Sequence, residues 1–131
     1  MFFAGGVQTL LAMSLWAFDL GARYAGLYAP PAWPLPPAWL HAMLMVYGLF
    51  SFFIFGFLMT ALPKWVAQGP LAEADYVPAF LLLAAGWVAF YAGLALPMLL
   101  PVGLAVVACG WLAGAWALLK SVRDSMSEHK T

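Results

Sequence analysis

Ala38-Trp-Leu-His-Ala-Met-Leu-Met-Val-Tyr-Gly-Leu-Phe-Ser-Phe-Phe-Ile-Phe-Gly-Phe-Leu-Met-Thr-Ala-Leu62 contains one histidine and no Asp, Glu, Lys or Arg. Coiled as an α-helix, this stretch is about 37 Å long. That length crosses the roughly 30 Å hydrocarbon core of a bilayer with some tilt. The segment is bounded by interfacial chemistry, with Trp39 at its start and Pro63-Lys64-Trp65 just beyond its end. A helix breaker, a snorkelling base and an indole suit the headgroup level, and the helix is expected to stop there.

Outward from this segment the same pattern recurs. Apolar helices are expected at about 2–24, 78–96 and 102–120, followed by a polar tail at 121–131. Hydrophobic residues make up 66% of the chain and charged residues 8%, against roughly 45–50% and about 25% in soluble domains. A water-soluble fold of this size has no means of hiding so much apolar surface. The fold class is therefore all-α and integral to the membrane: one domain over 1–131, four transmembrane helices in an antiparallel up-and-down bundle, with the lipid bilayer as its first partner. The N-terminal stretch has no Lys or Arg before it, which argues for a retained helix over a secretory signal.

The connections are distinct. Ala29-Pro-Pro-Ala-Trp-Pro-Leu-Pro-Pro37 holds five of the ten prolines, and such a segment lacks the donors for a helix or a sheet ladder. It reads as a stiff loop, with Trp33 and Trp39 suited to the interface. Asp19 and Arg23, four residues apart, are placed to pair on one helical face as the first helix leaves the hydrocarbon. The loop from Lys64 to Tyr76 is the most polar interior stretch, whereas Leu96-Pro-Met-Leu-Leu-Pro101 carries no charge and predicts a tight hairpin between helices three and four. With four crossings, Lys64, Lys120, Arg123 and Lys130 share one side with both termini, and Arg23 lies on the other. The positive-inside rule then puts both termini in the cytoplasm.

Composition excludes several functions. Five bases balance five acids, so no basic stripe exists to grip a phosphate backbone, and nucleic acid is not a partner. The single cysteine, Cys109, has no pairing partner in the chain and reads as a small side chain buried in an apolar run. There are no paired intramembrane carboxylates, no nucleophile with a base, no phosphate-binding loop and no C-x-x-C, so the chain shows no self-sufficient catalytic constellation. Gly110-Trp-Leu-Ala-Gly114 is a G-x-x-x-G pair that permits close backbone approach, within the chain or with another.

One side chain stands apart. His41 opens the second helix, and a neutral imidazole at membrane depth suits haem iron or copper. On a regular helix, Met45, Gly48, Phe52 and Met59 fall near the direction of His41, with Gly56 on the flank. This face joins soft ligands to two notches where a flat cofactor has room to approach. His41 and Met45 stand at the i,i+4 spacing that can share one site, while Met43 points away. An interfacial histidine with a packing stripe of methionines is the plainer reading of the same residues. His129, near the C-terminus, reads as a solvated tail residue.

Trp39-Leu-His-Ala-Met-Leu-Met-Val-Tyr-Gly48, followed by Gly56-Phe-Leu-Met-Thr-Ala-Leu-Pro-Lys-Trp65, resembles the signature of the NnrS family. In those bacterial membrane proteins a W-H-A-H-E-M-L-F-G-like run leads into G-F-L-L-T-A-x-x-x-W. The resemblance implies a bacterial inner-membrane protein of several crossings containing haem b, copper or both, and linked to nitric oxide metabolism, nitrosative-stress protection and denitrification. On it, His41 matches the first histidine of the motif, Met45 its methionine and Gly48 its glycine. His41, Met45 and Gly48 thus become the expected cofactor-binding residues, and His41 with Met45 the expected metal ligands. Where the family often carries a second histidine and a glutamate, this chain has Met43 and Leu44, so the local metal site is incomplete. The match is to the family's N-terminal part alone. The chain then reads either as a piece of a longer protein or as a short member that completes its pocket in a homo-oligomer or larger membrane complex. The alternative is a noncatalytic subunit or assembly partner of a larger respiratory complex, without its own cofactor and held through faces such as Gly110/Gly114.

Overall fold

A computed structural model describes residues 1–66 and 69–128. Four helices fill it: α1 (Phe2–Arg23), α2 (Pro37–Trp65), α3 (Glu73–Gly93) and α4 (Leu99–Glu128). Each is long and apolar enough to cross a membrane, and no strand occurs among the described residues. Helices are the form that lipid allows, because each satisfies its own backbone donors and acceptors without water. Large side chains accordingly face outward without harm: Phe3 is 87% exposed and Leu112 71%. His129, and with it the expectation of a solvated tail residue, lies outside the described residues.

The bundle runs up and down. Gly5 of α1 meets Phe53 of α2, and Gly48 of α2 meets Gln8 of α1, so these two helices are antiparallel. Gly86 of α3 faces Val107 of α4 and Gly93 faces Leu100, again antiparallel. Ser51 and Phe55 of α2 meet Trp111 of α4, consistent with the parallel course of alternate helices. Phe52 of α2 and Phe80 of α3 pack edge to face across the interior, 6.3 Å between ring centres.

The tightest contact is between α3 and α4. Gly86 and Gly93 on one helix, and Gly103 and Gly110 on the other, recur at seven-residue spacing, which keeps a seam turned toward its partner. A Cβ at Gly86 would lie 2.7 Å from the backbone nitrogen of Val107, and one at Gly103 2.7 Å from that of Phe90. Only a hydrogen fits there. In lipid, where apolar side chains gain nothing by leaving tails for one another, this backbone contact is what holds helices together. Of the G-x-x-x-G pair, Gly110 faces Leu83 of α3 and Gly114 faces the Phe55 ring of α2. Both are used inside the chain.

The helix ends differ from the sequence reading in ways prolines explain. Helix α2 does not stop before Pro63 but continues through it to Trp65. A proline so near the C-terminus disturbs only the last turns. Helix α3 starts at Glu73, not Pro78, with Glu73 and Asp75 complementing the dipole of its first turn. Its Pro78 lies in the second turn, and transmembrane helices tolerate such breaks. The expected hairpin is present, closed by the Leu96 amide on the Ala92 carbonyl at 2.9 Å. Helix α4 begins at Leu99 with Pro101 in its first turn, where amides have no partner to lose.

Helix α4 also runs on through the expected tail to Glu128, with Ser121 and Ser125 buried one turn apart on one face. Lys120 pairs with Asp75 at 2.7 Å, tying this extension to the start of α3. Cys109 is exposed, not buried. A helix apolar on all sides carries no signal of which side faces lipid.

Replacement of Gly86 by Val is expected to force α3 and α4 apart and to destabilise the bundle by about 3 kcal/mol or more, a packing clash on backbone. Gly6→Ala, where a Cβ meets nothing within 4 Å, is expected to be neutral or to stabilise by about 0.5–1 kcal/mol. Thermal unfolding of the two variants in the same detergent checks both.

Candidate functional site

His41 stands in the second turn of α2, after Pro37 at the first helical position has set the entry of the chain. Its ring stacks on the indole of Trp16 from α1, with centres 4.2 Å apart and planes 18° from parallel. Its Nδ1 is buried without a hydrogen-bond partner. A buried ring nitrogen left unpaired is costly in lipid, and its lone pair or proton is available to a ligand.

Just beyond it the helix widens. Leu44–Leu49 form a π-helical turn, and the Phe50 amide reaches back to the Met45 carbonyl. Such turns carry one extra residue and shift the register of everything after them. Gly48 still faces α1 as the regular helix requires, but Phe52 is turned to Phe80 of α3. Met45 is half-buried against the core, and Met43 lines a separate cleft between α2 and α4 with Tyr47, Trp87 and Trp111.

The two notches are not open. The Gln8 amide lies against Gly48, and Met1 and Phe2 fill the space at Gly56. A flat group could approach at either place only after α1 side chains withdrew. Gln8 is 4% exposed, and its Nε2 is buried without a partner. The Tyr91 hydroxyl of α3 lies beside it but outside hydrogen-bond geometry, so two polar groups stand unpaired in the middle of the bundle. Across the α2–α4 contact Trp111 donates its indole N–H to the Ser51 hydroxyl at 2.9 Å and Ser51 donates to the Tyr47 carbonyl, while the indole N–H of Trp87 in the adjoining cleft is buried without a partner.

One turn beyond Trp16, Asp19 closes the proline-loop end of this region. It is 1% exposed, and its Oδ1 accepts from Trp33 Nε1 at 2.7 Å and from Arg23 Nε and Nη2 at 3.2 Å each. The expected Asp19–Arg23 pair therefore exists and has a third member. A buried carboxylate is stable when so paired, and this one pins the stiff proline loop over the α1–α2 contact. Below it, Gly26 at φ +63° lets the chain turn back so that Tyr28 stacks on Phe18 at 4.6 Å.

His41, Met45 and Gly48 thus lie on one helix, with His41 against Trp16 of α1, Gly48 against Gln8 of α1 and Met45 against the core. Among the described residues no group of three or more His, Cys, Asp or Glu side chains is placed to hold a metal ion. Trp16 and Gln8, the immediate neighbours of His41 and Gly48, were not singled out from the sequence. Gln8 carried a readable signal, a polar amide at membrane depth. Trp16 carried none, since indoles are common in such helices.

Four antiparallel crossings, with a histidine entering from a proline-rich loop, define a multi-pass helical membrane protein. The chain belongs to the NnrS family, whose model, described as NnrS protein, matches residues 1–130. No curated protein and no solved structure matches it.

Removal of the Asp19 carboxylate in Asp19→Ala is expected to free Trp33 and the proline loop and to cost about 2 kcal/mol, less than a fully buried pair because Arg23 reaches solvent. Faster amide hydrogen exchange at Ala32, Trp33 and Leu35, with α3 and α4 unchanged, is the readout.

Proposed function

We propose that this chain is a membrane component of bacterial nitric oxide metabolism or nitrosative-stress protection, and that it contributes His41 as a single ligand to a haem or copper site. The observation that carries the reading is the orphaned, buried Nδ1 of a histidine held rigidly against Trp16, in a chain of the NnrS family. The residues fit one ligand and not a complete site. Met45 stands one turn away as a second soft donor, while Gly48 supports close approach only if Gln8 moves. Such a group, when bound, supplies coordination and redox chemistry. The chain's own part is to fix the imidazole plane by stacking on Trp16, while the Asp19–Trp33 contact one turn along α1 holds the proline loop. Further ligands come from a second copy, a partner or additional chain. On this reading the protein lies in the inner membrane with both helical ends, Phe2 and Glu128, on the cytoplasmic side, where Lys64, Lys120 and Arg123 fall.

The noncatalytic alternative, without its own cofactor, named faces such as Gly110/Gly114 for docking, and these two glycines are occupied by neighbours within the chain. On that reading a partner would dock on another face of the bundle.

Protein purified from membranes is expected to show a haem Soret band or bound copper that His41→Ala abolishes and Met45→Leu weakens. A colourless, copper-free wild-type protein overturns the cofactor assignment.

A further inference from the structure

At the end of the bundle opposite the proline loop, a cleft of about 650 Å³ opens between the start of α1, the last turns of α2 and the approach to α3. That volume lies within the roughly 300–1,000 Å³ of small-molecule sites. Its inner wall is apolar, with Phe2, Gly56, Met59, Pro63 and Leu71. Lys64 and Tyr76 also line it, and Lys64 has no acidic partner among the described residues. The nearby Asp75 is taken by Lys120. Thr60 contributes little polarity, because its hydroxyl is turned onto the carbonyls of Gly56 and Phe57.

The depth and the chemistry match one kind of molecule. From Lys64 to Gly56 the helix descends about 12 Å, from headgroup level into hydrocarbon. Trp65, 66% exposed and packed edge to face on Phe57, marks that level. A ligand that fills the cleft must therefore carry an apolar tail below and an anionic group above. We propose that the cleft between α1, α2 and α3 is a binding site for an anionic phospholipid, with an acyl chain along Phe2, Met59 and Leu71 and the phosphate on Lys64.

The site is independent of the cofactor reading, since it shares no residue with His41 or Met45. Full-length protein in a neutral detergent is titrated with phosphatidylglycerol, phosphatidylcholine or inorganic phosphate, and bound lipid is counted by native mass spectrometry alongside thermal unfolding. Phosphatidylglycerol is expected to be retained and to raise the melting temperature, with phosphatidylcholine bound about fivefold more weakly, the difference one lysine makes near an anionic lipid. Lys64→Gln is expected to erase that preference and Lys64→Arg to keep it. Arg123→Gln removes the same charge from the same end without lining the cleft, and is expected to change nothing. Equal retention of both lipids, an unchanged preference in Lys64→Gln, an equal loss in Arg123→Gln, or the same stabilisation by inorganic phosphate alone each overturns the assignment.

Discussion

Backbone contact between α3 and α4 is the constraint on which the rest of the bundle depends. In water, burial of apolar surface would gather these helices with little regard for detail. In a bilayer that force is absent between helices, and association needs surfaces that approach more closely to each other than to lipid tails. Four glycines at seven-residue spacing supply that approach. By drawing α4 against α3, they also set where Trp111 and Gly114 meet α2, and so the position of Ser51 and Phe55. Helix α1 is attached to this assembly by smaller means: Gly5 under Phe53, Gln8 at Gly48 and the stack of Trp16 on His41.

The polar groups follow the same logic from the opposite side. Where a buried side chain has its partner, as in Trp111 on Ser51 or Trp33 on Asp19, it fixes one helix or loop against another. Where it lacks one, as at His41 Nδ1, Gln8 Nε2 and the Tyr91 hydroxyl, the bundle carries an unmet demand along the α1 side. A structural helix contact would be better served by apolar residues there. Two of these groups, on His41 and Gln8, lie where α1 meets α2, whereas the unpaired Trp87 indole N–H stands next to Gly86 on α3, so unmet polar demand is found beside the glycine seam as well.

Much of the architecture was legible from residues 38–62 and their neighbours, because length and missing charge identify a crossing without any knowledge of its contacts. The number of helices, their alternation, the Pro97 turn and the Asp19–Arg23 pair follow from such local signals. Boundaries were less legible, since Pro63 and Pro78 read as breaks while lipid-embedded helices absorb them. The facing of residues was least legible. Cys109 looked buried because the entire α4 run is apolar, and the seven-residue glycine spacing was overshadowed by the more familiar four-residue pair. At the candidate site, His41 was visible as a type of residue in an unusual place. That Gln8 would fill the Gly48 notch depends on how α1 lies against α2, which no local pattern encodes.

The wide turn at Leu44–Leu49 has a consequence for how α2 works as one rod with two tasks. An extra residue within a helix offsets the phase of its two halves by about 100°. The half bearing His41 meets Trp16 of α1, and the half beyond the wide turn meets α4 through Ser51 and Phe55 while still meeting α1 through Phe53 and Gly56. The wide turn thus acts as a joint of fixed angle, beyond which α2 presents Ser51 and Phe55 to α4 and Phe53 and Gly56 to α1.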